Sequence, residues 1–172
     1  MKEDWSRVGL ADGIRKFERH PDEVVLLQEL AVEWEAAGSF WPMASLMQSF
    51  AQAGVFAIYE MGSETSTSEK ISQRMTAFLV FQWHGDFTDL LYVFVSKSQR
   101  RQGAGNRIVS AWLAALAQLH ECKRVMLEVR ESNFSAQRLY ETCGFYRQGI
   151  RKSYYSDGED AVIYRYDLQS RS

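Results

Sequence analysis

The chain has 172 residues, of which 46% are hydrophobic, and its formal net charge at pH 7 is -2. This composition is typical of a globular protein rather than a disordered chain, and the length suffices for one domain with a substantial core. An isoelectric point of about 5.9 argues against a nucleic-acid partner, which normally requires a strongly basic face.

Several further observations exclude whole classes of protein. The N-terminal residues lack the apolar segment of a secretion signal, and no apolar run is long enough to span a bilayer. Cys122 and Cys143 lack metal-ligand spacing and are interpreted as reduced thiols. The scattered histidines, His20, His84 and His120, are interpreted as surface residues, so no metal site is predicted. A cytoplasmic protein without a membrane partner is therefore expected.

The first half of the chain alternates between strand and helix patterns. A short strand is predicted at 14–18, followed by an amphipathic helix at 21–37 with proline and two acids in its first turn. The polar stretch 62–70 is predicted to be a flexible loop. The other predicted elements are a helix at 43–53, strands at 55–61, 75–83 and 89–95, and a turn at 84–86.

A glycine pair, Gly103 and Gly105, lies between the apolar strand 89–95 and a helical segment at 108–119. Glycines allow a tight turn whose N–H groups converge near the positive end of the following helix dipole, which is an arrangement that binds phosphate. A Walker loop would need Lys-Ser or Lys-Thr where Asn106 and Arg107 stand, and a dinucleotide fingerprint would need a small residue where Ile108 stands. Both common nucleotide loops are excluded, and the pair alone is weak evidence.

The second half predicts a strand at 123–129, a short helix bearing Tyr140 on its buried stripe, and two final strands at 146–154 and 161–167. In the first of these strands, Glu128 points to the opposite face from Leu127 and Val129. Asn133 is a candidate helix cap. One domain spanning residues 1–172 is predicted, of the mixed α/β (α+β) class with one largely antiparallel sheet.

The order of these elements resembles the GNAT superfamily of N-acetyltransferases. The sequence Arg-Arg-Gln-Gly-Ala-Gly at 100–105 matches that family's (Arg/Gln)-x-x-Gly-x-(Gly/Ala) loop. The segments at 127–133, 151–155 and 159–161, together with Leu139-Tyr140 and Gly144-Phe145, resemble the branch that acetylates protein N-termini, which includes the bacterial ribosomal-protein alanine N-acetyltransferases. The resemblance implies a mostly antiparallel mixed sheet of about seven strands flanked by about four helices.

The resemblance also implies direct acetyl transfer from acetyl-CoA to a primary amine, with the α-amine of a protein or peptide as the favoured acceptor and without a metal. It implies that Glu128 is the base and Tyr140 the acid, and that Trp41, Tyr154 and Tyr155 border the acceptor. The residues that it assigns to the cofactor are Val93, Phe94, Val95, Arg100, Arg101, Gln102, Gly103, Ala104, Gly105, Asn106 and Asn133.

Each assignment has a simpler alternative. Glu128 is also typical of a strand-end carboxylate paired with an arginine, Tyr140 of a core tyrosine, and Asn133 of a helix cap alone. Trp41 fits packing better than substrate contact, and Tyr154 and Tyr155 also fit strand packing. The alternative functions are acetylation of a small amine, which the large Phe94 keeps open, and a non-catalytic acyl-CoA-binding module. A monomer or homodimer is expected.

Overall fold

The computed structural model describes residues 2–36, 42–65, 71–119 and 121–168. Within these ranges the chain forms five α-helices and seven strands. The helices are α1 (Lys2–Arg7), α2 (Pro21–Ala36), α3 (Met43–Ser49), α4 (Ala104–Leu116) and α5 (Phe134–Thr142). The strands are β1 (Ile14–Lys16), β2 (Val55–Thr65), β3 (Ile71–Trp83), β4 (Phe87–Val95), β5 (Arg124–Arg130), β6 (Tyr146–Arg151) and β7 (Ala161–Asp167).

All seven strands form one sheet in the order β1-β2-β3-β4-β5-β7-β6. Only β4 and β5 pair in parallel, because α4 returns the chain between them, and the other neighbours are antiparallel. The predicted class, a mixed and mostly antiparallel sheet of seven strands, is therefore confirmed.

Two hydrophobic clusters lie on the two faces of this sheet. Helices α4 and α5 cover one face, where Trp112 and Ile108 are fully buried. Helices α2 and α3 cover part of the other face, where Leu27 and Leu46 are fully buried. Strand β3 contacts both clusters, which explains why its apolar residues form a continuous run rather than an alternating one.

The N-terminal helix α1 was not predicted. Its six residues include one large apolar side chain, Trp5, which is too little for a helical pattern. Trp5 is only 4% exposed and packs edge-on against Phe81, with ring centroids 4.9 Å apart. A tertiary contact therefore holds a segment that has no periodic signal of its own.

The expectation of a loop at 62–70 is wrong for residues 62–65. These residues continue β2 and pair with β3, from Gly62 opposite Arg74 to Thr65 opposite Ile71. Ladder hydrogen bonds outweigh the polar composition there, and residues 66–70 lie outside the described part of the chain. Helix α3 ends at Ser49 rather than at residue 53, and β6 ends at Arg151 rather than at residue 154.

The parallel pairing of β4 and β5 extends only from Phe87 opposite Arg124 to Leu90 opposite Leu127. At this point β4 contains a bulge, since Phe81 pairs with Leu90 and Val80 with Tyr92, which leaves Leu91 as an extra residue. A bulge bends its strand and increases the local twist. Strands β4 and β5 therefore diverge beyond this register, and the sheet has an opening near its centre.

Two predictions, one about membrane-spanning helices and one about the cysteines, can be compared with the structure. Among the described residues, no helix combines the length and the apolar character needed to cross a bilayer. Cys122 and Cys143 are both free thiols, as predicted.

Candidate active site

The glycine loop before α4 adopts the predicted turn at Gly103 only, because the helix begins at Ala104 rather than at residue 108 and so includes Gly105. Gly103 occupies the N-cap of α4 with a φ of 82°, and Arg101 just before it also has a positive φ, 59°. The first N–H groups of a helix have no intrahelical acceptor. The N–H groups of the first turn of α4 are therefore available to an anion, at the positive end of the helix dipole.

The second glycine is required by close packing rather than by its own torsion angles. A Cβ on Gly105 would lie 3.2 Å from Leu139 Cδ2 and 3.5 Å from Val95 Cγ2. A larger residue would therefore separate α4 from both α5 and β4. Asn106 follows on the same turn, and its Nδ2 lies 3.5 Å from Cys143 Sγ on α5.

Arginines stabilise the loop in ways that the sequence did not reveal. Arg100 donates from Nε to the Val95 carbonyl at 3.1 Å and lies over the Phe94 ring at 5.5 Å. Arg101 is exposed. Arg107, which was not predicted to have a role, pairs with Glu60 at 2.7 Å and donates to the Gln102 carbonyl at 2.9 Å.

Phe94 is the large residue at which the resemblance is weakest. Its side chain is 7% exposed and belongs to the cluster beneath α2 and α3. Val93 and Val95 alternate with it and pack against the cluster on the α4 face. The Phe94 ring thus fills the core on the face that α2 covers.

A cavity of about 580 Å³ lies where β4 and β5 diverge. Its apolar lining comes from β4, β5 and β7, and its polar groups come from β4, β5, the end of β6 and the segment after it. The lining residues are Asp89, Leu90, Leu91, Met126, Leu127, Glu128, Arg151, Tyr154, Tyr155 and Ile163. Three residues predicted from sequence, Glu128, Tyr154 and Tyr155, are brought together here.

Glu128 lies in this cavity with 25% of its side chain exposed, and it pairs with Arg151 Nη1 at 3.0 Å. The predicted alternation of β5 is confirmed, because Val125, Leu127 and Val129 are buried whereas Met126 and Glu128 are partly exposed. A hydrogen bond to Glu128 is the main cause of the raised pKa of Tyr154. The arginine pair anticipated as the simpler interpretation is thus present, in the same cavity as the tyrosines.

Tyr140 occupies the buried stripe of α5 and is 8% exposed. Its ring packs against Phe145 and Tyr164, with centroid distances of 5.8 and 6.4 Å. Burial raises its pKa well above the ordinary value, with smaller contributions from Cys143 and Tyr155. The hydroxyl is therefore protonated at neutral pH and has a proton to donate.

The hairpin loop between β6 and β7 carries the tyrosines and is fixed by acidic residues. Arg130 pairs with Glu159 at 2.6 Å and Asp157 at 2.8 Å and stacks on Tyr155 at 3.9 Å. Glu159 also accepts from the Ser132 N–H at 2.8 Å. Hydrogen bonds from Ser132 and Arg130 lower the pKa of Glu159 to about 2.

The next residue, Asp160, completes the anchorage by accepting from the Ser153 N–H at 2.9 Å. These contacts give a structural reason for the Glu-Asp-Ala sequence at 159–161.

Two cavity residues, Asp89 and Arg151, were missed by sequence reasoning. Asp89 was detectable as the acidic residue that opens an otherwise apolar strand segment. Arg151 lies in the segment 151–155 that carries the resemblance, but nothing in the sequence singled it out as the partner of Glu128. Asn133 caps α5 by accepting from the Ala136 N–H at 3.2 Å. Trp41 lies outside the described residues.

Within the described ranges, no group of three or more His, Cys, Asp or Glu side chains could hold a metal ion.

Comparison with known proteins identifies relatives of this chain. It is 37% identical over 89 residues to the N-terminal acetyltransferase A complex catalytic subunit NAA10 of Arabidopsis thaliana, covering 51% of the chain and 45% of the relative. It is also 37% identical over 93 residues to the [Ribosomal protein bS18]-alanine N-acetyltransferase of Escherichia coli, covering 52% of the chain and 62% of the relative. The chain thus spans about half the length of the curated relatives that it matches.

Solved structures share the fold over nearly the whole chain. The crystal structure of the Escherichia coli ribosomal-protein-S18-alanine N-acetyltransferase superposes with a TM-score of 0.70 at 24% identity, covering 92% of this chain and 95% of that one. The Arabidopsis thaliana NAA60 complex with acetyl-CoA gives a TM-score of 0.70 at 15% identity, covering 90% and 97%.

The resemblance to the GNAT superfamily is confirmed, because residues 30–145 match the sequence model of the Acetyltransferase (GNAT) family. That range contains the glycine loop, the diverging strands, Glu128 and Tyr140. The chain belongs to the GNAT acetyltransferase family.

Proposed function

We propose that the protein is an acetyl-CoA-dependent N-acetyltransferase that modifies the α-amine of a protein or peptide. The observation that carries the proposal is the divergence of β4 and β5, which lies between two unlike sites. The glycine loop and α5 lie on one face, and the cavity with Glu128, Tyr154 and Tyr155 lies on the other. The named activities of the similar N-terminal acetyltransferases agree with it.

In this proposal the cofactor lies in the opening between the strands. The first turn of α4, from Gly103 to Asn106, binds the pyrophosphate through its N–H groups, with Arg101 exposed beside it. The edge of β4 from Val93 to Val95 hydrogen-bonds the pantetheine in place of the missing neighbour strand. One of these N–H groups stabilises the oxyanion that forms when the amine attacks the thioester carbonyl.

The acceptor enters the cavity on the opposite face. Glu128 binds the ammonium and accepts its proton directly or through a water, and the neutral amine then attacks. An α-amine has a reference pKa of about 7.7–8.0, so its deprotonation near neutral pH costs little free energy. A lysine amine, at about 10.4, would need roughly 3 kcal/mol more to become neutral at the same pH. A single carboxylate therefore suits an N-terminus better than a lysine.

Tyr140 completes the reaction from the cofactor side. When the tetrahedral intermediate collapses, the C–S bond breaks and the hydroxyl proton passes to the departing thiolate of CoA. Tyr154 and Tyr155 form one wall of the peptide site, and Asn133 adds a cofactor contact to its capping role. A single domain, a monomeric or homodimeric state and a cytoplasmic location stay predictions from the sequence.

The proposal is tested by mass spectrometry. The purified protein and acetyl-CoA would be incubated with short peptides of varied first residue and, in the same mixture, a panel of small amines. We expect acetylation at peptide N-termini. Modification of small amines with untouched peptides would establish the alternative acceptor class. Tight CoA binding by calorimetry without any transfer would establish a non-catalytic acyl-CoA-binding module.

A further inference from the structure

A buried carboxylate, Glu60, contacts the helix that follows the glycine loop and has no part in the mechanism above. Glu60 lies on β2 and is 7% exposed. A charge at that burial costs free energy unless it is paired and hydrogen-bonded. Arg107 of α4 supplies the pair, since it donates from Nε to Glu60 Oε1 at 2.7 Å and from Nη2 to Oε2 at 3.2 Å. Both carboxylate oxygens are thus held by one planar guanidinium.

Thr76 of β3 is the second partner of this carboxylate. Its hydroxyl donates to Glu60 Oε2 at 3.0 Å, and the residue is buried. Thr76 is the extra residue of a bulge, because Glu60 pairs with Ala77 and Met61 pairs with Met75. A bulge can re-aim a side chain, and here the Thr76 hydroxyl is directed to Glu60.

Gly62 makes room for the Thr76 side chain. A Cβ on Gly62 would lie 2.5 Å from Thr76 Cγ2, so a larger residue at position 62 would displace the threonine. The Thr76 hydroxyl is therefore held in place by the packing around it as well as by its hydrogen bond to Glu60.

Both ends of the segment between β4 and α4 are tied to this cluster. At the start of the segment, the Ser96 N–H donates to the Thr76 carbonyl at 2.8 Å. At its end, the Gln102 carbonyl accepts from Arg107 Nη1 at 2.9 Å, and Arg107 is held by Glu60. The segment that contains the glycine loop is thus connected at both ends to one carboxylate in the core.

We propose that Glu60, Arg107 and Thr76 form an anchor that holds the first turn of α4 in the conformation that binds the pyrophosphate of acetyl-CoA. This inference rests on the proposed function. Each of the three guanidinium nitrogens of Arg107 donates to Glu60 or to Gln102. Arg107 therefore acts on the loop rather than on the phosphates, and Glu60 and Thr76 are positioning residues for the cofactor.

A purely electrostatic role of the pair predicts a change of the opposite sign. Glu60→Gln leaves the positive charge of Arg107 uncompensated beside the loop that would bind an anion. If charge alone mattered, this variant would bind CoA more tightly. In the anchor, loss of the paired hydrogen bonds loosens the loop and weakens binding. The direction of the change in affinity therefore separates the two roles.

The first test measures CoA binding by calorimetry for the native protein, Glu60→Gln and Arg107→Lys. Lysine keeps the charge but has no planar fork to join Glu60 to Gln102. We expect the Kd for CoA to rise by about tenfold in both variants, because both lose charged hydrogen bonds that order the loop. In the peptide assay the KM for acetyl-CoA should rise while kcat at saturation is unchanged. An unchanged or lower Kd in Glu60→Gln would overturn the anchor.

Thr76 offers a milder variant if loss of the buried ion pair prevents folding. Thr76→Val keeps the shape of the side chain but removes the hydroxyl, and it should raise the Kd for CoA by about threefold. Thr76→Ser retains the hydroxyl and should bind more tightly than Thr76→Val. Equal Kd values for these two variants would overturn the part assigned to Thr76.

A matched control breaks a carboxylate–arginine pair elsewhere in the sheet. Arg165 Nη2 lies 2.6 Å from Asp167 Oδ1, and both residues are on β7, which is adjacent to neither β2 nor β3. Asp167→Asn should leave the Kd for CoA unchanged.

The second test does not depend on activity. Without CoA, amide hydrogen exchange in Glu60→Gln should rise more at Ser96 and Arg107, at the two ends of the anchored segment, than at Val125 of β5. Equal increases at all three amides would overturn the anchor. If exchange and Kd change as expected but the native protein transfers no acetyl group, the proposed function fails while the anchor is established. If the native protein transfers acetyl groups and Glu60→Gln binds CoA equally well, the anchor alone fails.

Discussion

At the scale of single residues, the site separates a buried proton donor from a solvated carboxylate. Tyr140 lies on α5 and is enclosed by aromatic rings, whereas Glu128 shares an open cavity with Arg151. Burial raises the pKa of Tyr140 and keeps its hydroxyl protonated, and two ionisable groups in such unlike environments are typical of acid–base pairs. The simpler interpretations of both residues are compatible with catalysis, because packing of a ring does not prevent its hydroxyl from giving a proton.

Replacing Tyr140 with phenylalanine tests this assignment. We expect Tyr140→Phe to lower kcat by about 100-fold, since the departing thiolate loses its proton donor, with an unchanged KM for acetyl-CoA. The control is Tyr146→Phe, which removes an exposed hydroxyl that donates to Asp167 at 2.8 Å. Equal kcat values for the two variants would show that Tyr140 is only a packing residue.

At the scale of elements, the start of α4 and the β6–β7 hairpin loop decide the geometry of the site. Gly103→Ala places a Cβ on a residue with a φ of 82°, which costs about 1–2 kcal/mol. We expect a melting temperature lower by about 2–4 °C per kcal/mol for a chain of this size, and a higher KM for acetyl-CoA. Gly149→Ala is the control, because a Cβ there meets no atom within 4 Å among the described residues.

The hairpin loop predicts a pH dependence of stability. The pKa of Glu159 falls from 4.5 to about 2 on folding. Its stabilising contribution to the free energy of unfolding is therefore fully present above about pH 4.5 and is lost as the pH falls toward 2. The difference in melting temperature between the native protein and Glu159→Gln should therefore shrink over that window. The exposed Glu121→Gln is the control, and a difference that stays constant from pH 7 to pH 2 would contradict the assignment.

At the scale of the whole molecule, sequence patterns predicted the sheet class and the order of most elements. They succeeded where apolar periodicity is strong, as in β5 and α5. They failed at α1 and at residues 62–65, where a tertiary contact and a strand ladder determine the structure. Glu128, Tyr154 and Tyr155 could be named only through family resemblance, and the position of Asp89 in the cavity required the register of β4 against β5.

The bulge at Leu91 has a consequence for the order of events during turnover. Because the bulge lies where the pairing of β4 with β5 ends, with the glycine loop and the cavity on opposite faces of the sheet, the two substrates of the proposed reaction approach from opposite sides, and neither must leave before the other enters. Initial rates measured at several concentrations of both substrates should therefore give intersecting reciprocal plots, as expected for a ternary complex. Parallel plots would indicate an acetylated protein intermediate, for which simultaneous binding of both substrates would not be needed.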